Sequence, residues 1–259
     1  MQIKEILEKF SKGEISIAEA EKQLKLNAIE EVEDLARIDI SRQLRKGVPE
    51  IILAEGKLPE HTAKIAVTAI AKNGSVIVSR VDEHHEKAIR KLLPKGARIE
   101  KNELARILVL RSKGAKRATI LGKVGIITAG TSDIHVAEEA KVVLGEMGCK
   151  AICTYDVGVA GIHRLFPSIK RMIEEDVDVI IAVAGREGAM PTIVAGLVDV
   201  PVIGVPTSVG YGFGDKGMAA LQAMLQACSL GVATVNIDSG VAAGVIAGLI
   251  ARRAATRGK

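Results

Sequence analysis

The chain has no tryptophan, two tyrosines and three phenylalanines, so aromatics make up 2% of its 259 residues. That scarcity argues against a surface that binds single-stranded nucleic acid by stacking bases on rings. Three cysteines, an odd number, make no disulfide framework and point to a reducing compartment. A long apolar run is missing too. The most membrane-like stretch, GVATVNIDSGVAAGVIAGLI (231–250), is interrupted by Asn236 and Asp238 and reads as a buried strand, a loop and a packed helix. The opening MQIKEILEKFSKGEIS is a charged amphipathic helix with no apolar signal core. The expectation is a cytoplasmic protein that engages neither membrane nor nucleic acid.

What is present is a core. The chain is 48% hydrophobic and 26% charged, too apolar for disorder. Its length suits one large or two small domains at ~150 residues each. The net charge of +5 is unevenly spread. Residues 1–118 carry 24 Lys/Arg against 18 Asp/Glu, residues 119–250 carry 8 against 13, and 251–259 hold four basic residues and no acid. The basic character therefore belongs to the first domain and a solvated tail. Arg42 and Arg45 there face either phosphate or solvent.

Residues 1–46 read as helices: Ile3, Ile6, Leu7 and Phe10 recur at helical spacing, and Ser16 stands as the N-cap of IAEAEKQLKL. EIILAE and SVIVSR read as strands, and HTAKIAVTAIAKNG and EHHEKAIRKLL as helices. ARILVLRS reads equally as helix or strand. The polar joint SKGAKRAT (112–119) sets expected domains of 1–117 and 118–259. Beyond it, VGIITA, AICTYD, DVIIAVAG, PVIGVP and VATVNI alternate with helical stretches. That pattern predicts an α/β protein: a small N-terminal α/β domain, then a flavodoxin-like or Rossmann-like three-layer parallel sheet with ligands at the carboxyl ends of its strands.

Small residues follow these strands. Gly130-Thr131-Ser132-Asp133 opens a helix and is either a phosphate cradle or an ordinary capping turn. Gly185-Arg186-Glu187-Gly188-Ala189 follows the third strand, and Thr207-Ser208-Val209-Gly210-Tyr211-Gly212 the fourth. Neither a dinucleotide fingerprint nor a P-loop lysine is present. An anion would therefore be held by backbone amides. Tyr155, Tyr211 and Phe213 are the rings near strand ends.

VGIITAGTSDIHVAEEA and PVIGVP are similar to the aminoimidazole ribonucleotide carboxylase/mutase (PurE) family of purine synthesis. Ala189 stands where that family carries a histidine, and Glu187 where it carries a small residue. DVGVAGIHRL, EGAMPTIVAGLVDVPVIGVPTSVGYG, LQAMLQACSLGVATVNIDSG and, in the first domain, DISRQLRKGVPEIILAEGK resemble the LarB family, the pyridinium-3,5-biscarboxylic acid mononucleotide synthases of nickel-pincer cofactor synthesis. Arg186 stands where a hydrophobic residue is usual, and Ser239-Gly240-Val241 where Asn-Gly-aromatic is more usual. The resemblance implies carboxylation of nicotinic acid adenine dinucleotide by carbon dioxide, hydrolysis of its phosphoanhydride to release AMP, and a homo-oligomer, as an octamer.

The same resemblance assigns Cys228 as the reactive cysteine, a nucleophile that splits one hard step into easier ones. A cation or the substrate's own pyridinium charge would favour its thiolate. Taken without the resemblance, a cysteine at a helix end is more often a packing residue. Cys149 and Cys153 lack partners for a zinc site and read as structural. His163 is the candidate for proton transfer, the plainer alternative being hydrogen bonding at a helix start. Glu187 is a candidate base, a metal ligand or a surface charge. His61, His84, His85 and His135 read as bystanders on exposed helix faces. Anhydride hydrolysis calls for a divalent ion, expected to be Mg2+, with Asp133, Asp156, Glu187 and Asp238 as candidate ligands. Two other readings stand beside this one: a PurE-type carboxylase, and a noncatalytic nucleotide-binding regulatory module.

Overall fold

The computed structural model describes residues 3–26 and 29–257. They form two compact units, Met1–Glu100 with Val109–Ala115, and Lys101–Leu108 with Lys116–Lys259. In the first unit, α1 (Ile3–Ser11) and α2 (Ile17–Leu26) follow the helical spacing. Ser16 caps α2 by accepting the Glu19 N–H at 3.2 Å. The helical expectation fails after α2. β1 (Ile29–Val32) and β2 (Ala36–Asp39) form an antiparallel hairpin. Its turn is closed by the Leu35 N–H on the Val32 carbonyl at 2.9 Å, with Glu33 left-handed at φ 47°. Val32 and Ile38 share the buried face, and two apolar residues are too few to show a period of two in sequence. A single helical turn, α3 (Arg42–Lys46), ends at left-handed Gly47.

Next along the chain come β3 (Ile51–Leu53), α4 (Pro59–Asn73), β4 (Ser75–Ser79), α5 (Glu83–Leu92), β5 (Arg98–Asn102) and β6 (Ile107–Arg111). The four strands make one sheet in the order β3-β4-β6-β5. ARILVLRS resolves as a strand because every residue of β6 is buried. β5, RIEKN, has no counterpart in the sequence reading; Ile99 is its one apolar residue.

The second unit alternates strictly: β7 (Gly122–Thr128), α6 (Ile134–Glu146), β8 (Cys149–Thr154), α7 (Leu165–Glu174), β9 (Val179–Ala184), α8 (Met190–Ala195), β10 (Val202–Pro206), α9 (Met218–Leu225), β11 (Val232–Thr234) and α10 (Gly240–Arg257). All pairings are parallel, in the order β11-β10-β9-β7-β8. This is the flavodoxin-like arrangement, with its switch point between β7 and β9.

Both faces of the sheet are apolar because alternate residues serve opposite layers. Val179, Ile181 and Val183 pack with Val136, Ala140, Ala243 and Ala247 of α6 and α10. Ile180, Ala182 and Ala184 pack with Leu165, Met172, Met190 and Met224 of α7, α8 and α9. Glycines set the close approach of α10 to α6. A Cβ on Gly240 would lie 2.1 Å from the Val136 carbonyl oxygen, and one on Gly244 2.8 Å from that of Ala140. The apolar stretch 231–250 is thus spent on β11 and a packed helix. No helix among the described residues is long and apolar enough to cross a membrane.

Candidate active site

Parallel strands joined by crossover helices send every strand-to-helix loop to one edge of the sheet. Hydrogen bonds sew those loops together. Thr128, at the end of β7, accepts the Asp156 N–H on Oγ1 at 3.0 Å and the Val157 N–H on its carbonyl at 3.0 Å. This ties the loop after β8 to β7. Asp133 does the same between β7 and β10: one carboxylate oxygen accepts the Gly130 N–H at 2.9 Å, the other the Thr207 hydroxyl at 2.7 Å. Thr207 is fully buried and Asp133 nearly so. Burial raises the Asp133 carboxyl above the ordinary carboxylate range, against the pull of those two donors. Asp238 accepts the Ser208 N–H at 2.8 Å, joining the loops after β10 and β11.

Strain gathers on this edge. Asp156, Arg186, Asp215, Lys216 and Asp238 all take positive φ, between 34° and 59°, so each loop after β8, β9, β10 and β11 holds a non-glycine residue in the left-handed region. Such conformations persist where the surroundings over-determine them.

Two adjoining cavities of about 480 Å³ each open between these loops, within the size range of small-molecule sites. The first lies between Gly130–Asp133, Gly158–Ala160 and Gly185–Met190; the second is enclosed by the 209–217 loop. Arg186, Glu187, Val209, Gly210 and Tyr211 belong to both and form their common wall, with the Arg186 guanidinium carbon 4.3 Å from the centre of the Tyr211 ring.

Two of the glycines here have different causes. A Cβ on Gly185 would meet the Val209 carbonyl oxygen at 2.4 Å and Thr207 Oγ1 at 2.6 Å, so Gly185 lets two loops touch. A Cβ on Gly130 would meet nothing nearer than 3.5 Å; that glycine leaves room on the cavity side.

Three of the four candidate carboxylates already have partners. Asp133 has both oxygens engaged, Asp156 pairs with Arg164 at 3.3 Å, and Asp238 holds Ser208. Among the described residues no three His, Cys, Asp or Glu side chains converge to hold a metal. Glu187, the fourth candidate ligand, lies on the wall of both cavities, where a Mg2+ ion would take its remaining oxygens from a ligand's phosphates and water.

Residues 123–257 match the AIR carboxylase family, and residues 29–113 match the LarB/PurE-like N-terminal domain. The chain is a LarB-type protein with a PurE-like C-terminal domain. An uncharacterized protein of Methanocaldococcus jannaschii is 50% identical over 96% of this chain and 97% of its own length. The N5-carboxyaminoimidazole ribonucleotide mutases of the same organism and of Pyrococcus horikoshii are 34% and 35% identical over 44% and 45% of this chain, or 69% and 64% of theirs. The family is one of carboxylase- and mutase-type enzymes, and this LarB-type chain is of that kind.

Of the residues expected to act, Gly130, Ser132, Asp133, Gly185, Glu187, Gly210 and Tyr211 line the first cavity, and Gly212 the second. Thr131, Gly188, Thr207 and Ser208 line neither. Thr207 is the buried anchor of Asp133, and Gly188, at φ 66°, packs against Ala220 of α9. His163 lies exposed in the 3-10 turn Val159–Arg164, just past the cavity residues Val159 and Ala160. Cys228 is exposed and lies elsewhere. It sits between α9 and β11, and the neighbouring Gly231 carbonyl accepts the N–H of Val202, the first residue of β10. That is the amino edge of the sheet, a five-residue strand or roughly 17 Å from the carboxyl edge at ~3.3 Å per residue.

Other expectations shift as well. Tyr155 turns away from the loops and donates its hydroxyl to Glu138 at 2.6 Å. His85 is buried rather than exposed, with Nδ1 2.7 Å from Asp82 and Nε2 3.1 Å from the Lys57 carbonyl. Arg45 is bound to Asp39 at 2.6 Å, and Arg42 lies 3.6 Å from Glu50. Cys149 is buried, which pushes its thiol up to about 11. Arg186 is absent from the sequence-derived site; its departure from the family pattern was the one signal that marked it.

Proposed function

We propose that this LarB-type chain carboxylates the pyridinium ring of nicotinic acid adenine dinucleotide with carbon dioxide and hydrolyses the phosphoanhydride to release AMP. One observation carries the choice over the purine-pathway reaction. The first cavity is lined by Ala189 where the aminoimidazole family has a histidine, and no imidazole is among the described residues that line it, in a chain that also carries the LarB/PurE-like N-terminal domain. The paired cavities suit the two halves of a dinucleotide, with loop amides and the common wall facing its phosphates.

A pyridinium ring is electron-poor and does not attack carbon dioxide. Addition of the Cys228 thiolate to the ring carbon opposite nitrogen gives a dihydropyridine whose adjacent carbon is an enamine nucleophile. That carbon bonds to carbon dioxide. Loss of its proton, to Glu187 or to His163, and departure of the thiolate restore aromaticity. The anhydride step consumes one water and leaves the ring's mononucleotide and AMP. Glu187 is on the cavity wall; Asp133 is a positioning residue, since its oxygens are spent on Gly130 and Thr207.

Cys228 and the cavities occupy opposite edges of one sheet, so the thiol meets the ring only across a contact between copies of this chain. The reading therefore requires the homo-oligomer. Cys228→Ala abolishes ring carboxylation and leaves the circular dichroism and melting temperature of the protein unchanged. Full activity in that variant would sink the covalent mechanism.

A further inference from the structure

We propose that Arg186, stacked on Tyr211 in the wall between the two cavities, recognises the diphosphate bridge of the ligand and makes this chain select dinucleotides over mononucleotides. The inference rests on the dinucleotide reading above. The two cavities meet along Arg186, Glu187, Val209, Gly210 and Tyr211, which is where the linkage between two nucleotide halves has to cross, and Arg186 is the one cation among the five. A guanidinium is planar and matches phosphate oxygens with paired N–H donors. The guanidinium carbon lies over the ring at 4.3 Å, and a side-chain hydrogen bond to Tyr211 uses one of the five N–H donors, leaving the others for phosphate oxygens. Lys216 also lines the second cavity and adds a cation there.

Packing does not account for the pair. Arg186 is exposed and Tyr211 is 81% exposed, so neither fills the core. Arg186 also takes φ 52°, a conformation in which a glycine would be less strained. A side chain is kept at a position whose backbone favours having none. The geometry thus spends conformational strain and an unburied aromatic ring on presenting one guanidinium at the junction.

Titration calorimetry on the full chain tests this, with nicotinic acid adenine dinucleotide, ADP-ribose, AMP and nicotinic acid mononucleotide as probes. In the wild type the two diphosphate compounds bind more tightly than the two monophosphates. Arg186→Gly relaxes the backbone, so its melting temperature equals or exceeds that of the wild type. Its affinity for both diphosphates falls about tenfold, the loss of roughly one charge-assisted bond, while monophosphate affinities change less than about threefold. Arg186→Lys keeps the charge without the planar fork and falls between. Tyr211→Leu weakens diphosphate binding in the same direction. Wild-type affinity for the diphosphates in Arg186→Gly, or an equal loss for all four probes, overturns the proposal while leaving the functional reading in place. Failure of the wild type to bind the dinucleotide at all overturns both.

Discussion

Asp133 offers a prediction whose size follows from its surroundings. Its carboxylate is the pin between the loops after β7 and β10, holding Gly130 at 2.9 Å and Thr207 at 2.7 Å. Asp133→Ala strands a hydroxyl that is fully buried, at a cost of ~1–3 kcal/mol, and loses a charge-assisted bond to the Gly130 amide. Water replaces that second bond in part, because Gly130 borders the cavity. The expected loss is about 2–4 kcal/mol, a drop in melting temperature of several degrees. Thr207→Val removes the stranded hydroxyl, so the double variant is less damaged than the sum of the two single changes by about 1 kcal/mol or more.

Asp133→Asn keeps an acceptor for Gly130 and turns a donor toward Thr207, whose hydroxyl can accept. The pH dependence has a definite sign. Burial raises the folded-state value of this carboxyl, so its stabilising neutral form is fully available below the ordinary carboxylate value of ~3.9. That contribution is lost as pH rises through the folded value. The uncharged Asn escapes the loss, and its stability relative to the wild type climbs with pH across that window. Urea unfolding at several pH values reads all of these. An Asp133→Ala variant within ~0.5 kcal/mol of the wild type, a size typical of inert surface changes, refutes the pin.

Further outcomes follow from the same geometry. Gly185→Ala forces its Cβ to within 2.4 Å of the Val209 carbonyl oxygen and destabilises by ~1–3 kcal/mol in chemical denaturation. Gly130→Ala does not destabilise, since its nearest neighbour is at 3.5 Å, yet it weakens ligand binding in calorimetry. At the helix pair, Gly240→Ala lowers the melting temperature because its Cβ would lie 2.1 Å from backbone. Gly145→Ala, with open space at its Cβ, raises stability by ~0.5–1 kcal/mol. Finally, Cys228→Ala and the cavity-filling Gly130→Trp are each inactive alone. Unfolded, mixed and refolded together, they recover activity, because thiol and cavity come from different copies; a mixture as inactive as its parts contradicts an active site shared between copies.

The second unit was readable because its strands are continuous apolar runs and its helices carry the crossovers. β5 and the β1–β2 hairpin were not. RIEKN and IEEV are charged, short and half-exposed, so tertiary pairing rather than local pattern makes them strands. At the site, small residues after strands marked the loops correctly, while the task of each residue stayed hidden. Asp133 meets Thr207 across 74 positions, and spacing says nothing about contacts at that range. Gly185 looked like a phosphate-approach glycine and instead lets two loops touch. Arg186 and Tyr211 are 25 positions apart in sequence and become one wall only after β9 and β10 pair. The remoteness of Cys228 was available in principle, since a residue just before a parallel strand lies at the amino edge of the sheet.

The destination of a labelled carboxyl group separates the two carboxylations most directly. The protein is supplied with carbon-13 bicarbonate, nicotinic acid adenine dinucleotide and aminoimidazole ribonucleotide together, and the nucleotides are resolved by mass. The label is expected in a pyridinium mononucleotide bearing one new carboxylate, with AMP released alongside. Label carried by the imidazole nucleotide, with the dinucleotide left intact, would contradict it.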